Sequence, residues 1–217
     1  MASKDWGIEI PGGFFDEERH IYRNPKGTIV PSSTQVLEIN GLSDFSMVKP
    51  SDLEWKRQYG NAVHAAVEYL VAGDLDWDSL DENIISPVTG IECRLGEMKF
   101  EVEATEERRI ATIGGMEFGM TLDLQGTILH KNVSRKAVID IKTGSKFSKT
   151  WEWQVGSYLV PQEKVPLGWI GVVIQVDPEG DVTPHYVSNV DAAKREFQVL
   201  LATAIIKLNN GFARIGG

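Results

Sequence analysis

The chain has 217 residues, a formal net charge of −9, 42% apolar residues and 24% charged residues. These values suit one globular domain with its own core and argue against an intrinsically disordered chain. The acidic balance excludes a protein that coats nucleic acid without specificity, but it allows an enzyme that meets phosphates through metal ions held by its own carboxylates.

The cysteine count and the apolar runs exclude further classes. Cys93 is the only cysteine, which rules out an intramolecular disulfide, a cysteine-rich zinc site and a four-cysteine iron–sulfur cluster within one chain. No apolar run approaches the about 20 residues of a membrane span, and the first residues lack the apolar stretch of a signal peptide. We therefore expect a cytoplasmic protein with no membrane partner.

The first 50 residues predict a small unit joined to a larger core. Residues 20–22 and 27–30 have the composition of two strands in a hairpin, and the serine pair 32–33 is placed to cap a short helix. We therefore predict a single domain over residues 1–217, in which residues 1–50 form an N-terminal hairpin and a short helix appended to the core.

A loop at 43–50 and then the longest helix are predicted next. This helix begins with the capping-box pattern Ser51-Asp52-Leu53-Glu54, carries apolar residues at helical spacing and ends before Gly73. A less regular helix is expected over 88–98.

The rest of the chain predicts a β-rich middle followed by alternating helices and strands. Residues 168–176 form an apolar run typical of a strand buried on both faces, and Pro184 confines the antiparallel partner at 182–187 to a sheet edge. This order predicts the α/β class, with a central mixed β-sheet flanked by helices. The expected strands of the middle are 99–104, 108–113, 118–129 and 137–142, with 105–107 between the first two, and the later helices are 150–160 and one from 189 or 191 to 210.

Asp140 and Lys142 are the most informative polar residues. In an extended strand they share one face, while Ile139 and Ile141 point to the other face, into the core. Such a strand either faces solvent or lines a polar site. Taken by itself, the pattern is more often a solvated face.

Asp123 is a second candidate carboxylate, flanked by Leu122 and Leu124 and therefore expected to face away from an apolar surface. Two adjacent antiparallel strands can place Asp123 and Asp140 side by side. Paired carboxylates repel each other unless a cation neutralises them, and oxygen ligands suit Mg²⁺ or Mn²⁺. The alternative is a surface aspartate beside a turn.

Gly60, His64 and Glu68 recur every four residues and therefore lie on one face of the longest predicted helix. The imidazole and the carboxylate are placed to face a metal held by the sheet, and the glycine allows the helix to approach the sheet closely. The alternatives are a hydrogen-bonded packing histidine and a solvated surface glutamate.

Gln154 and Tyr158 are four residues apart on the helix that follows the Asp140 strand. Lysines around the start of this helix place positive charge where an anion would enter. The predicted basic cluster comprises Arg135, Lys136, Lys142, Lys146 and Lys149. The alternatives are a packed tyrosine with a solvated hydroxyl and ordinary surface lysines.

The order of these patterns is specific. Gly-x-x-x-His-x-x-x-Glu at 60–68, Gly-x-x-x-Asp at 119–123, Ile-Asp-Ile-Lys-Thr-Gly at 139–144 and Gln-x-x-x-Tyr at 154–158 together resemble the PD-(D/E)XK nuclease superfamily. Within it, the chain is similar to RecB-like exonucleases, including phage and prophage recombination exonucleases. The similarity covers about residues 31–160 and implies a restriction-endonuclease-like core.

The resemblance also implies a role for each matched residue at the reaction centre. Asp123, Asp140, His64 and the carbonyl of Ile141 would bind the metal, and Lys142 would orient or activate the attacking water. Glu68 matches a less constant acidic position and is expected to be catalytic, and Gln154 and Tyr158 match a motif that contacts nucleic acid. From the basic cluster, and not from the resemblance, we predict that Lys146 and Lys149 also contact nucleic acid.

The implied function is a Mg²⁺- or Mn²⁺-dependent DNA exonuclease of phage or prophage recombination, without an iron–sulfur cluster. Its implied partners are DNA and a single-strand annealing protein, and ring-shaped trimers in the superfamily leave an oligomer open. The alternatives are an endonuclease, a nuclease-fold DNA-binding module without catalysis, and an unrelated metal-dependent hydrolase that uses the same carboxylates.

Overall fold

The computed structural model describes residues 6–42, 50–177 and 179–215, so the loop predicted at 43–50 lies, apart from Pro50, outside the described residues. In chain order the strands and helices are β1 (Ile8–Ile10), β2 (Gly13–Asp16), β3 (Ile21–Arg23), β4 (Ile29–Val30), α1 (Ser33–Ile39), α2 (Pro50–Ala72), α3 (Glu82–Glu97), β5 (Glu101–Ile113), β6 (Met116–His130), β7 (Val133–Thr143), α4 (Lys149–Tyr158), β8 (Ile170–Val176), β9 (Val182–Tyr186) and α5 (Val190–Asn209), with a short 3-10 turn at Trp77–Ser79. Among the described helices, none is long and apolar enough to cross a membrane.

A five-stranded sheet in the order β5-β6-β7-β8-β9 forms the centre of the fold. Strands β7 and β8 are parallel and are connected through α4, whereas the other three neighbouring pairs are antiparallel. The sheet is therefore mixed, and helices cover both of its faces, which confirms the predicted α/β class. Strand β9 carries Pro184 and lies at the sheet edge, as its sequence requires.

The two faces of the sheet carry separate hydrophobic cores. Helices α2 and α3 pack on the face to which Ile139 and Ile141 point, whereas α1, α4 and α5 pack on the face to which Val138 points. Every residue of β8 is buried, because its alternating side chains contribute to both cores. This confirms the prediction of a strand buried on both faces, and it fixes β7 and β8 rigidly beside each other.

The N-terminal unit is a four-stranded antiparallel sheet, β1-β2-β3-β4, rather than the predicted single hairpin. Strands β3 and β4 are the predicted pair, and β1 and β2 were missed because they are only three and four residues long around Gly12-Gly13. Ser32 caps α1 in a full capping box with Gln35, as one of the two predicted alternatives. Tyr22 and Phe15 are buried between this sheet and the central one.

Strand β5 is one continuous strand from Glu101 to Ile113, so the predicted interruption at 105–107 is wrong. Its connection to β6 is the two-residue turn Gly114-Gly115, in which both glycines have positive φ angles (57° and 77°). A tight hairpin turn requires this left-handed backbone, which glycine adopts without steric cost. The turn fixes the register of the pair from Ile113 opposite Met116 onward.

Two helix starts differ from their predicted positions. Helix α2 begins at Pro50, so Ser51 lies inside its first turn and its hydroxyl contacts Asp52 instead of forming the predicted capping box. Helix α3 begins at Glu82, with Asp81 as its N-cap, and runs through Pro87 to Glu97. The predicted range of 88–98 therefore covered only the part after the proline, the residue type that most often marks a helix boundary.

Candidate active site

The site lies where β6 and β7 separate. Their backbone pairing ends at Leu124 opposite Ile139, and the next positions along the two strands are Asp123 and Asp140. There the Ile141 N–H donates to Oδ2 of Asp123 at 2.7 Å, a hydrogen bond to a side chain. The two predicted carboxylates therefore belong to adjacent antiparallel strands, at the point where the strands part.

The separation also changes which core strand β6 contacts. Leu124 packs in the core under α2 and α3, whereas Leu122 packs in the core under α1, α4 and α5. The leucines on either side of Asp123 therefore pack in two different cores, because β6 passes from one core to the other at this residue. The Asp123 carboxylate lies at the point where β6 passes from one core to the other, and its side chain is only 11% exposed.

The N-terminal sheet braces β6 beside Asp123. The ring of Tyr22 occupies the space where a Cβ at Gly119 would lie, 2.0 Å from the nearest ring atom, so a larger residue cannot replace this glycine without displacing the ring. The hydroxyl groups of Tyr22 and Thr121 lie 2.5 Å apart and share a hydrogen bond. The glycine of the Gly-x-x-x-Asp pattern therefore serves packing, which positions the aspartate four residues later.

Asp140 and Lys142 share one face of β7, as predicted, and form a buried ion pair. The side chain of Asp140 is completely buried, and Nζ of Lys142 lies 3.0 Å from both of its oxygens. Its Oδ2 accepts no hydrogen bond within the described part of the chain. Burial raises the pKa of Asp140 to about 6, although Lys142 opposes the rise and Asp123 adds to it. Burial opposes the charged form of Lys142, yet the two carboxylates raise its pKa.

His64 reaches the same site from helix α2. Gly60 allows α2 to approach β7, because a Cβ there would lie 3.2 Å from Oγ1 of Thr143. Nδ1 of His64 lies 3.4 Å from Oδ2 of Asp123. Burial disfavours the charged imidazole, but the Asp123 carboxylate outweighs this effect and the pKa of His64 is raised to about 8. Burial disfavours the Asp123 carboxylate as well, but His64, Lys142 and the Ile141 N–H lower its pKa overall.

Glu106 completes this cluster, and the sequence reasoning missed it. Ligand atoms of His64, Glu106 and Asp123 all lie within 4.8 Å of one another. Glu106 has a positive φ angle (46°), a strained conformation for a residue with a side chain, and such strain clusters at functional sites. Burial and the nearby Asp123 raise the pKa of the Glu106 carboxyl group. The sequence pattern places 105–107 between two strands, and so it gives Glu106 no position on either strand face.

A signal for Glu106 was nevertheless present in the sequence. The turn Gly114-Gly115 sets Ile113 opposite Met116, and seven further residues on each strand lead to Glu106 and Asp123. Cross-strand neighbours in an antiparallel pair place their side chains close together. Counting from the glycine pair would have placed these two carboxylates next to each other.

Glu68, one turn beyond His64 on α2, is exposed and lies outside this cluster. Its negative charge adds to the rise in the pKa of Glu106, so the two carboxyl groups are neighbours. The structure brings Glu68 to the edge of the site, and its catalytic role stays a prediction.

Gln154 and Tyr158 are buried beside the site, and Gln154 also borders an open cleft. Gln154 is 7% exposed and Tyr158 is 2% exposed, and the Gln154 side-chain amide donates to the Tyr158 hydroxyl at 2.5 Å. Burial and the charges of Asp140 and Asp123 raise the pKa of Tyr158 far above its usual value. Direct contact of Tyr158 with nucleic acid, which the resemblance implied, stays a prediction, and its burial supports a positioning role beside Asp140.

The predicted basic cluster is divided in the structure. Lys136 pairs with Glu103, and Arg135 donates to the Leu167 and Gly168 carbonyls. Six residues along an extended strand separate Lys136 from Lys142, a distance of about 20 Å. At the other end, Lys149 pairs with Glu152, whereas Lys146 lines an open cleft.

This cleft has a volume of about 640 Å³ and adjoins the ion pair. Lys142 and Gln154 belong both to the cleft wall and to the surroundings of the carboxylates. Thr143, Gly144 and Val176 mark its position beyond the carboxyl ends of β7 and β8, where parallel strands commonly present ligand sites.

The donor set fits a hard divalent cation. Two carboxylates of low exposure and an imidazole converge, and Oδ2 of buried Asp140 accepts no well-aligned hydrogen bond among the described residues, although Nζ of Lys142 lies 3.0 Å from it. Carboxylate oxygens suit Mg²⁺ and Mn²⁺, and imidazole suits several transition metals. His64, Glu106, Asp123 and Asp140 are therefore the residues able to hold such an ion. The Ile141 side chain is buried, and a ligand role for its carbonyl stays a prediction.

Comparisons with known proteins found likeness in solved structures alone. No protein-family model and no curated protein matches the chain. One similar structure is a candidate exonuclease from Eubacterium rectale, 12% identical, which covers 83% of this chain and 74% of that one at a TM-score of 0.46. Another is an alkaline exonuclease from Laribacter hongkongensis, 12% identical, which covers 84% and 89% of the two chains at a TM-score of 0.43. At these scores the chemistry must be argued from the site itself.

Proposed function

We propose that the protein is a divalent-metal-dependent nuclease of the PD-(D/E)XK type that hydrolyses phosphodiester bonds in DNA. The observation that carries the proposal is the buried Asp140–Lys142 ion pair at the point where β6 and β7 separate, with Asp123 and His64 on neighbouring elements. Burying charged groups is costly, so a fold that retains several of them at one point spends stability on a function.

The carboxylates of Asp123, Asp140 and Glu106, together with His64, would hold the metal. A bound Mg²⁺ or Mn²⁺ supplies a Lewis acid for the phosphoryl oxygens and lowers the pKa of water. Lys142 brings a fixed positive charge to the same point, since Nζ is held by Asp140 and opens onto the cleft. A preorganised ammonium group stabilises the negative charge that develops on a phosphate during hydrolysis.

Removal of DNA from its ends is the proposed mode, because the sequence motifs resemble those of RecB-like exonucleases. A role in phage or prophage recombination, a single-strand annealing protein as partner and an oligomeric state are expectations from the same resemblance. An endonuclease would use the same carboxylates and lysine. The two kinds of nuclease are therefore distinguished by whether a closed circle of DNA is cut as well as linear DNA.

The test is digestion of end-labelled linear DNA and of a closed circle, with Mg²⁺, Mn²⁺ or EDTA, by the wild type and by Asp140→Asn. Metal-dependent loss of linear DNA alone, abolished by Asp140→Asn and retained by the exposed control Asp74→Asn, is the expected result. Cutting of the circle would replace the exonuclease by an endonuclease. Binding of DNA without cleavage under any condition would contradict nuclease activity and indicate a binding module.

A further inference from the structure

A stacked aromatic pair, with one ring exposed and the other partly buried, forms part of the cleft wall next to Lys142. Trp55 and Tyr59 lie one turn apart on α2, and their rings stack with centroids 5.2 Å apart and planes at 13°. The Trp55 side chain is nevertheless 58% exposed. The open indole at the cleft is therefore available to pack against another planar group.

The cleft is bounded by helices from both faces of the central sheet. Helix α2 contributes Trp55 and Tyr59, and α4 contributes Trp151, whose ring packs against Phe147 with centroids 5.6 Å apart. Gly144 at the end of β7 keeps the space between them open, since it presents only backbone there. Aromatic faces from two elements therefore line the route that ends at Lys142.

The size of the cleft suits an unpaired strand. A volume of about 640 Å³ lies within the range of small-molecule sites, about 300–1,000 Å³, which corresponds to roughly one or two nucleotides. A DNA duplex, with a major groove about 12 Å wide, is larger than this volume. We therefore expect a strand that reaches Lys142 through this cleft to be unpaired there.

The charges of the cleft are mixed. Lys56 and Lys146 have no carboxylate partner within the described residues, and Lys142 is already paired with Asp140. Glu38, Asp177 and Glu179 line the same cleft. Attraction of phosphates is therefore weak here, and contact between bases and aromatic rings has to provide much of the affinity.

We infer that the cleft binds an unpaired DNA strand and that Trp55, on its Tyr59 platform, stacks on a base of that strand. The inference rests on the proposed nuclease function and adds a substrate class to it, namely single-stranded DNA or duplex DNA with an unpaired end. Stacking is tolerant of sequence because every base has an aromatic face, so little sequence preference is expected.

The test measures binding in the Asp140→Asn background, in which DNA is not degraded. The probes are a labelled single strand of about 12 nucleotides, within the usual site sizes for such proteins, and a blunt-ended hairpin of the same composition. Adding Trp55→Ala is expected to weaken single-strand binding about 5- to 150-fold, whereas Trp55→Phe retains most of it. Trp77→Ala is the matched control, because Trp77 is also exposed (37%) but lies outside the cleft.

Salt dependence separates stacking from phosphate contact. Trp55→Ala should leave the slope of log K against log salt unchanged, while Lys146→Ala should reduce its magnitude by about 0.7. Equal effects of Trp55→Ala and Trp77→Ala, or equal affinity for the hairpin and the single strand, would overturn the inference. Metal-dependent digestion by the wild type would leave the nuclease proposal standing in that case, whereas absence of digestion of any DNA would overturn the nuclease proposal itself.

Discussion

The two ends of strand β7 carry similar residue types in different surroundings. At the first end, Arg135 and Lys136 are half-buried, and Lys136 pairs with Glu103 on β5, with 32% and 34% of the two side chains exposed. At the other end, Lys142 pairs with a completely buried Asp140. A surface ion pair contributes about 0–1 kcal/mol to stability. Burial of Asp140 and Lys142 at the second end instead costs desolvation free energy and shifts the pKa values of both groups.

This comparison indicates that a charged residue on β7 has a function where it is buried together with other charged groups. Lys136 has one acidic partner and solvent around it, so its removal changes little. Lys142 faces Asp140, Asp123 and the cleft at once, so the same change removes the only ammonium group held between the carboxylates in the described residues.

Asp140→Asn should produce the largest effect. We expect nuclease activity to fall by at least about 10³-fold, since a proposed metal ligand is lost. Digestion of labelled DNA measures the effect, and full activity in this variant would contradict the assignment.

Lys142→Ala and Lys136→Ala compare the two ends directly. Removal of Lys142 should lower the rate of DNA cleavage about 10²- to 10⁴-fold, because it removes charge stabilisation at the reacting phosphate. Removal of Lys136 should change the rate less than about twofold, in line with a surface pair. Single-turnover digestion with matched metal concentrations measures both. Equal losses of cleavage rate in the two variants would contradict a specific role for Lys142 at its end of β7.

Glu106→Gln tests the carboxylate that the sequence reasoning missed. We expect Mn²⁺ affinity to fall about 10- to 100-fold, as found when ligand surroundings are altered in metal sites, with the fold retained because the amide is isosteric. Glu103→Gln, on the same strand but paired with Lys136, is the matched control and should leave Mn²⁺ affinity unchanged. Titration calorimetry decides between them, and unchanged affinity in Glu106→Gln would remove this residue from the site.

The pH dependence of metal binding should show the smallest effect. The pKa of His64 is raised to about 8 in the metal-free protein, so below this pH the imidazole is protonated and must release a proton to become a ligand. Metal affinity should therefore fall about tenfold between pH 9 and pH 7. In His64→Ala the affinity should be weaker but nearly independent of pH over this interval. If the metal affinity of His64→Ala depended on pH as that of the wild type does, His64 would not be a metal ligand.

Periodicity and local chemistry predicted much of the fold. The apolar run of β8, the edge position of β9, the capped helix α1 and the shared face of Asp140 and Lys142 could all be inferred from residue type and spacing. The interruption proposed inside β5 was wrong because Glu106, in a left-handed conformation among acidic neighbours, has the local composition of a turn. Pairing with β6 overrides that local preference.

Residue type and spacing were enough to predict the order of the elements from β3 onward, the alternation along β7, and His64, Asp123 and Asp140 as candidate metal ligands. Tertiary structure alone decided that β6 and β7 separate at Asp123, that Gln154 and Tyr158 are buried, that the basic residues are divided and that Trp55 opens onto a cleft. The physical reason is that local preferences depend on neighbours in the chain. The exposure of a side chain, its pKa and the side chains that it meets depend on which distant elements pack together. They are therefore fixed only when the sheet and its two cores have formed.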